Sequence, residues 1–219
     1  GSTSGLLAGA YTGPNGIWVT NSTGTNDATN NTWFVSCAEN GHTTGGCGTG
    51  CVGVSTTATL STLHIGSNPA FGGDGGASYN AGGFCPSIMC VTTNMRAESP
   101  TIDCSSRTGV TLNFYYTEAG DAAMDDASVW YYDGSTWALL VNPAKTPPIC
   151  PGGQGYWDYL SVALPASADN NPNVKIGFNW TNNDDGLGSD PSFAVDSVYL
   201  TGTLSALPVP VASFTSTDD

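Results

Sequence analysis

Positive charge is what this sequence most lacks. Four basic residues (Arg96, Arg107, Lys145 and Lys175) stand against 18 acids in 219 residues, a formal net charge of −14. No basic patch can form, which excludes nucleic-acid binding and disfavours adsorption to anionic lipid. Apolar runs fall far short of a bilayer span, so no membrane insertion is expected. Sustained helical periodicity is absent, with Gly, Pro, Asn and Thr punctuating throughout. Catalytic signatures are scarce as well. Glutamate occurs only at Glu39, Glu98 and Glu118, no two of them close in sequence. A glycosidase would need a carboxyl pair at a defined separation, and no G-x-S-x-G, H-E-x-x-H or Cys/His frame appears. No catalytic residues are therefore assigned, and the chain is read as a non-enzyme.

What is present is strand. Segments 16–20, 32–36, 61–66, 109–117, 127–133, 136–141, 157–164, 173–181 and 192–200 are rich in β-branched and aromatic residues, and several alternate cleanly. Val110, Leu112, Phe114 and Tyr116 share a face, as do Val174, Ile176, Phe178 and Trp180. Half-buried antiparallel strands of this kind predict an all-β sandwich with one face of each sheet inward. Asp133-Gly134 marks a hairpin tip, with Asp133 as turn former. His64 alternates with core positions and reads as a structural histidine, and His42 lies in a Gly/Thr loop. Segments 37–59 and 66–92 hold few strand cues and many glycines, so long loops are expected there.

Seven cysteines are many for a reduced compartment. The pairs Cys47/Cys51 and Cys85/Cys90 are spaced C-x3-C and C-x4-C, which two zinc half-sites would also satisfy. The Lys-poor, Asn/Thr/Gly-rich composition favours disulfides in a secreted or cell-surface protein. Local closure suggests Cys47–Cys51 and Cys85–Cys90, while the pairing of the other three is open.

The acids form two clusters. Asp184, Asp185 and Asp190 crowd one Gly-rich loop, and Asp196 interrupts the apolar strand that follows. Strict alternation puts Asp196 on one face with Ala194, Val198 and Leu200. A buried carboxylate needs a partner, and so few Lys or Arg exist that a divalent cation is the expected one. Calcium takes six to eight oxygens in flexible geometry, which suits such a loop. The second cluster, Glu118, Asp121, Asp125 and Asp126, offers Glu118, Asp121 and Asp126 as further ligands, with a solvated acidic turn as the alternative.

The succession "RAESPTIDCSS", "VTLNFYYTEAGD", "DDASVWYYDGSTWALL", "WDYLSVALP", "NVKIGFNW", "GSDPSFAVDSVYL" resembles jelly-roll modules of the MAM, reelin-repeat and laminin-G-like type, as found in large secreted or surface proteins of bacteria. The resemblance is strongest over 95–201. It implies a jelly-roll β-sandwich over 1–203 and supports Asp196 as a structural calcium ligand. "YDGSTW" is also similar to the Asp-box of sialidases and reelin repeats, a hairpin remote from catalysis. Residues 204–219, with "PVPVASFTSTDD", are similar to a linker and the first strand of a following PKD domain. A recognition or adhesion module is expected, with polysaccharide or surface glycan as ligand. Tyr132, Tyr156, Trp157 and Tyr159 are the surface aromatics offered for stacking on sugar rings. A structural or protein-binding spacer and an accessory domain of a secreted hydrolase are the competing readings.

Overall fold

Apolar residues recurring at every second position can be buried only if each sheet turns one face inward, and two sheets then cover each other. A computed structural model describes residues 10–13, 15–41, 45–51, 61–83 and 90–205. Strands are numbered in chain order. The first sheet runs β1 (Ala10–Gly13), β2 (Gly16–Ser22), β6 (Thr93–Glu98), β11 (Lys175–Asn182), β8 (Asp126–Tyr132), β9 (Trp137–Val141). The second runs β3 (Thr32–Ser36), β5 (Thr62–Gly66), β12 (Phe193–Leu204), β7 (Arg107–Glu118), β10 (Tyr156–Ala163), β4 (Gly46–Cys47). Neighbours pair antiparallel throughout. Among the described residues the helical segments are short 3-10 turns.

The chain is thus an antiparallel jelly-roll β-sandwich, as its alternation requires. Leu112, Phe114 and Tyr116 of β7 face Ile176, Phe178 and Trp180 of β11 in one core. Phe178 sits at its centre, with ring centroids 5.3 Å from Phe114, 5.9 Å from Phe193 and 6.2 Å from Trp18. The Asp133 turn forms as expected, its carboxylate accepting the amides of Ser135 and Thr136 at 2.8 Å each. Those bonds hold that carboxyl down at about 2. Three strands had no sequence signal strong enough to predict them: β1, β4 and β6.

Asp196 does not have the environment that strict alternation gives it. Between Asp196 and Tyr199 the β7 partner advances from Tyr115 to Asn113, so β12 carries one extra residue there. Ser197 takes up that bulge at φ 50°. Phe193 and Val195 point into the core before it, and Val198 and Leu200 pack against the core after it. Asp196, level with Tyr115, lies half-exposed on the outer face. The burial argument for its partner therefore fails.

The local pair Cys47–Cys51 does not form either. The disulfides are Cys37–Cys51 and Cys47–Cys150. Pairing of Cys47 with Tyr156 carries β4 to the edge of β10, near Cys150. Meanwhile the carbonyl of Asn40 accepts the amides of Thr49 and Gly50, folding Cys51 back towards Cys37. Cys90 is also disulfide-bonded, while its expected partner Cys85 lies outside the described residues. Cys104 is a buried free thiol. Strand β12 runs to Leu204, one residue past the expected module boundary. The linker and PKD-like start, and His42, likewise fall outside the described residues except for Leu204 and Ser205.

The bulge generates a test. A left-handed φ costs an L residue roughly 1–2 kcal/mol and most penalises β-branched side chains. Ser197→Gly is expected to be neutral or to stabilise by up to about 1 kcal/mol, and Ser197→Val to destabilise by about 1–2 kcal/mol. Urea unfolding of the two variants measures the difference. Equal stability of the two would mean that Ser197 does not carry the extra residue in solution.

Candidate functional site

The candidate site lies on the outer face of the second sheet. Antiparallel register fixes three rows across β10, β7 and β12: Tyr159, Tyr115 and Asp196; then Ser161, Asn113 and Tyr199; then Ala163, Thr111 and Thr201. Alternation sends these residues outward because Leu112, Phe114, Leu160, Val162, Val198 and Leu200 turn inward. Asn113 is the hub. Its Oδ1 accepts the hydroxyls of Tyr159 and Ser161 at 2.8 Å each, and its Nδ2 donates to Thr201 Oγ1 at 3.2 Å. Tyr159 and Tyr199 also meet hydroxyl to hydroxyl at 3.3 Å. The Tyr115 and Tyr159 rings lie 5.1 Å apart. Two large rings thus stand 37% and 48% exposed, at Tyr159 and Tyr199, yet tethered at their tips.

Of the four aromatics expected to bind ligand, Tyr159 alone joins this platform. Trp157 shares its outward parity but is fully buried. Its carbonyl accepts the Gly45 amide, it pairs with Gly46, and it packs with Ala77, Ala194 and Tyr115 beneath the loops. Tyr156 has the opposite parity, with its hydroxyl against Gly45. Tyr132 stands on the other sheet, 5.2 Å from Trp137 and under the Lys175 ammonium. Tyr115, Tyr199 and Asn113 were missed in the sequence: Tyr115 had the right parity, and the bulge hid that of Tyr199.

The seven expected metal ligands do not gather at one point. Asp196 Oδ1 accepts the Ser197 amide at 2.5 Å, on the platform. Asp184 accepts the Gly83 amide, and Asp185 accepts the Leu187 amide and the Asn183 side chain. Asp190 receives Ser78 Oγ and the Tyr79 amide. Asp121 closes a tight turn opposite Asp125, whose own carboxylate takes the Tyr79 hydroxyl at 2.5 Å and the Asn183 amide at 3.2 Å. Glu118 and Asp126 do come together, and Lys145 joins them, its ammonium 3.1 Å from Glu118 Oε1 and 3.0 Å from Asp126 Oδ1. Among the described residues, the group of three or more acidic, cysteine and histidine side chains whose ligand atoms are close enough to share a metal is Asp27, Cys90 and Asp184. There Cys90 is spent in a disulfide. A calcium site anchored on Asp196 does not fit this arrangement.

Two further buried groups complete the region. Glu39 accepts the Ala77 amide at 2.8 Å and the Gly155 amide at 2.5 Å, tying three loops together. Burial pushes its carboxyl up, opposed by those two amides. His64 is buried with Nε2 2.8 Å from Asp74 and Nδ1 3.0 Å from Thr62, a satisfied structural histidine.

No protein-family model matches the chain. No curated protein matches it either. The chain is distantly similar to several solved structures. A cleaved adhesin domain of Lys-gingipain from Porphyromonas gingivalis matches at 15% identity and a TM-score of 0.44, covering 90% of this chain and 97% of that one. The N-terminal cellulose-binding domain of Cellulomonas fimi β-1,4-glucanase C matches at 14% identity and TM-score 0.34, covering 89% and 93%. The enzymatically active domain of a tailspike protein from bacteriophage CBA120 matches at 12% identity and TM-score 0.40, over 87% of this chain and 20% of that one. Likenesses this distant carry no argument about function.

Glu118 makes the pH dependence testable. Burial pushes its carboxyl up to about 8, against the pull of the Ala127 amide and Lys145. The folded form then keeps its proton across the window from 4.5, the ordinary value, to about 8. The folded state binds more protons there, so this stabilisation is complete below the window and lost as pH rises through it. Glu39, Asp125 and Asp190 are shifted the same way by burial. Thermal melts should show Tm falling from about pH 5 to about pH 8, with a shallower slope in Glu118→Gln. A slope identical in the variant would remove Glu118 from the account.

Proposed function

We propose that the chain is a non-catalytic, extracellular recognition module whose ligand is a neutral polysaccharide or surface glycan. The observation that carries this reading is the platform of Tyr115, Tyr159 and Tyr199 held around the buried amide of Asn113. Aromatic faces pack on the C–H faces of sugar rings, while amide and hydroxyl groups meet their hydroxyls. Tyr159 is fixed by Asn113 and spaced by strand register, so little rotamer freedom is lost on binding. Charge narrows the class. The three rows hold no basic residue, Asp196 sits among them, and the whole chain carries −14. Uronic or sulfated sugars would be repelled. The disulfides Cys37–Cys51 and Cys47–Cys150 support an oxidising, extracellular setting.

A glycan array with isothermal titration tests the reading. Binding to uncharged glycans is expected, nearly independent of salt, with no release of reducing ends. Tyr159→Ala and Tyr199→Ala should each weaken affinity about tenfold or more, the scale of an interface anchor, without lowering Tm by more than a few degrees. Preference for anionic glycans, or binding unaffected by both variants, would overturn the platform. Silence across the array would leave the spacer reading as the better one.

A further inference from the structure

A single ammonium occupies a shell of oxygens built for something with more bonds to give. Lys145 Nζ lies within hydrogen-bond distance of Glu118 Oε1, the Ala119 carbonyl, the Asp125 carbonyl (2.9 Å) and Asp126 Oδ1. It has three protons for those four acceptors. Glu118 Oε2, fully buried beside them, has no hydrogen-bond partner. The shell does not depend on the lysine for its shape. Ala119 donates its amide to Pro191, Gly120 to Ser189 and Met124 to Asp121, which fixes the turn bearing both carbonyls. Ala127 donates its amide to Glu118 Oε1 at 3.0 Å and orients that carboxyl. Four oxygens from Glu118, Ala119, Asp125 and Asp126 thus face one point, a donor set of carboxyl and main-chain carbonyl oxygens that suits a hard divalent ion.

We propose that this is a cation-binding site whose occupant is the chain's own Lys145, and that shortening Lys145 converts it into a calcium site. The lysine arrives on the segment that crosses from the first sheet to the second, docked by the Thr146 amide on the Glu118 carbonyl (2.7 Å) and by the Tyr116 hydroxyl on the Ala144 carbonyl (2.9 Å). Its side chain is 31% exposed, so solvent reaches the shell and an ion can enter once the stem is gone. Calcium completes its six to eight ligands there with water in the volume the stem vacates. Magnesium, which requires a near-regular octahedron, is the poorer occupant.

The test compares wild type with Lys145→Ala, each stripped in EDTA, by calcium titration calorimetry and thermal melting. Lys145→Ala is expected to bind one more equivalent of calcium than wild type. Its Tm, lowered in EDTA, should return by half or more of the loss in millimolar calcium and less in magnesium. Should the variant be unfolded in EDTA, refolding on addition of calcium, followed by circular dichroism, is the equivalent supporting result. In Lys145→Ala/Glu118→Gln the extra equivalent should vanish. Equal stoichiometry in wild type and Lys145→Ala, or a loss of stability that calcium does not restore, overturns the proposal.

Discussion

A carboxylate taken out of water must be met by donors, and this chain has few cations to supply them. The loops are arranged around that demand. Glu39 draws Ala77 and Gly155 to itself, Asp190 draws Ser78 and Tyr79, and Asp125 draws Tyr79 and Asn183. Each carboxylate joins segments far apart in sequence, and backbone amides do most of the joining. Only at Glu118 does a lysine do it. Removing one such acid would therefore loosen two or three loops together, because the orphaned amides would be left buried without acceptors.

That end of the sandwich and the platform are connected through Trp157 and Tyr115. Trp157 fills the space beneath the Cys47 loop, and Tyr115 continues the same outer face to Tyr159. The satisfied carboxylates thus hold a lid over one half of the sheet face and leave the other half open. What is exposed is a matter of which loops close, since the strands alternate identically under both halves.

Nine strands were legible from their β-branched and aromatic residues, and in several of them burial writes a period of two into the sequence. β6 was not, because its outward Arg96 and Glu98 satisfy each other and mask the inward Met95 and Ala97. Tyr159 could be picked out as a surface aromatic, but its partners Asn113 and Tyr199 depend on cross-strand register, which no local pattern encodes. Asp196 was misplaced for a related reason. Alternation is read along one strand, and an inserted residue becomes visible only against the neighbouring strand. Lys145 carried no signal at all: a lysine among prolines looks like loop until its ammonium is seen among four oxygens.

Both sheets have their late strands in the middle. β11 lies between β6 and β8, and β12, the last described strand, lies between β5 and β7. A chain emerging from its N-terminus can assemble only fragments of either sheet: β1, β2 and β6 apart from β8 and β9, and β3 and β5 apart from β7, β10 and β4. Each fragment exposes a hydrogen-bonding edge and an apolar face until the final quarter of the module is delivered. The contacts that close the sandwich join residues as distant as Leu63 and Val195, so loop-closure entropy delays them. During synthesis this module is consequently all or nothing, and a partner that shields its open edges would have to wait for β12 before letting go.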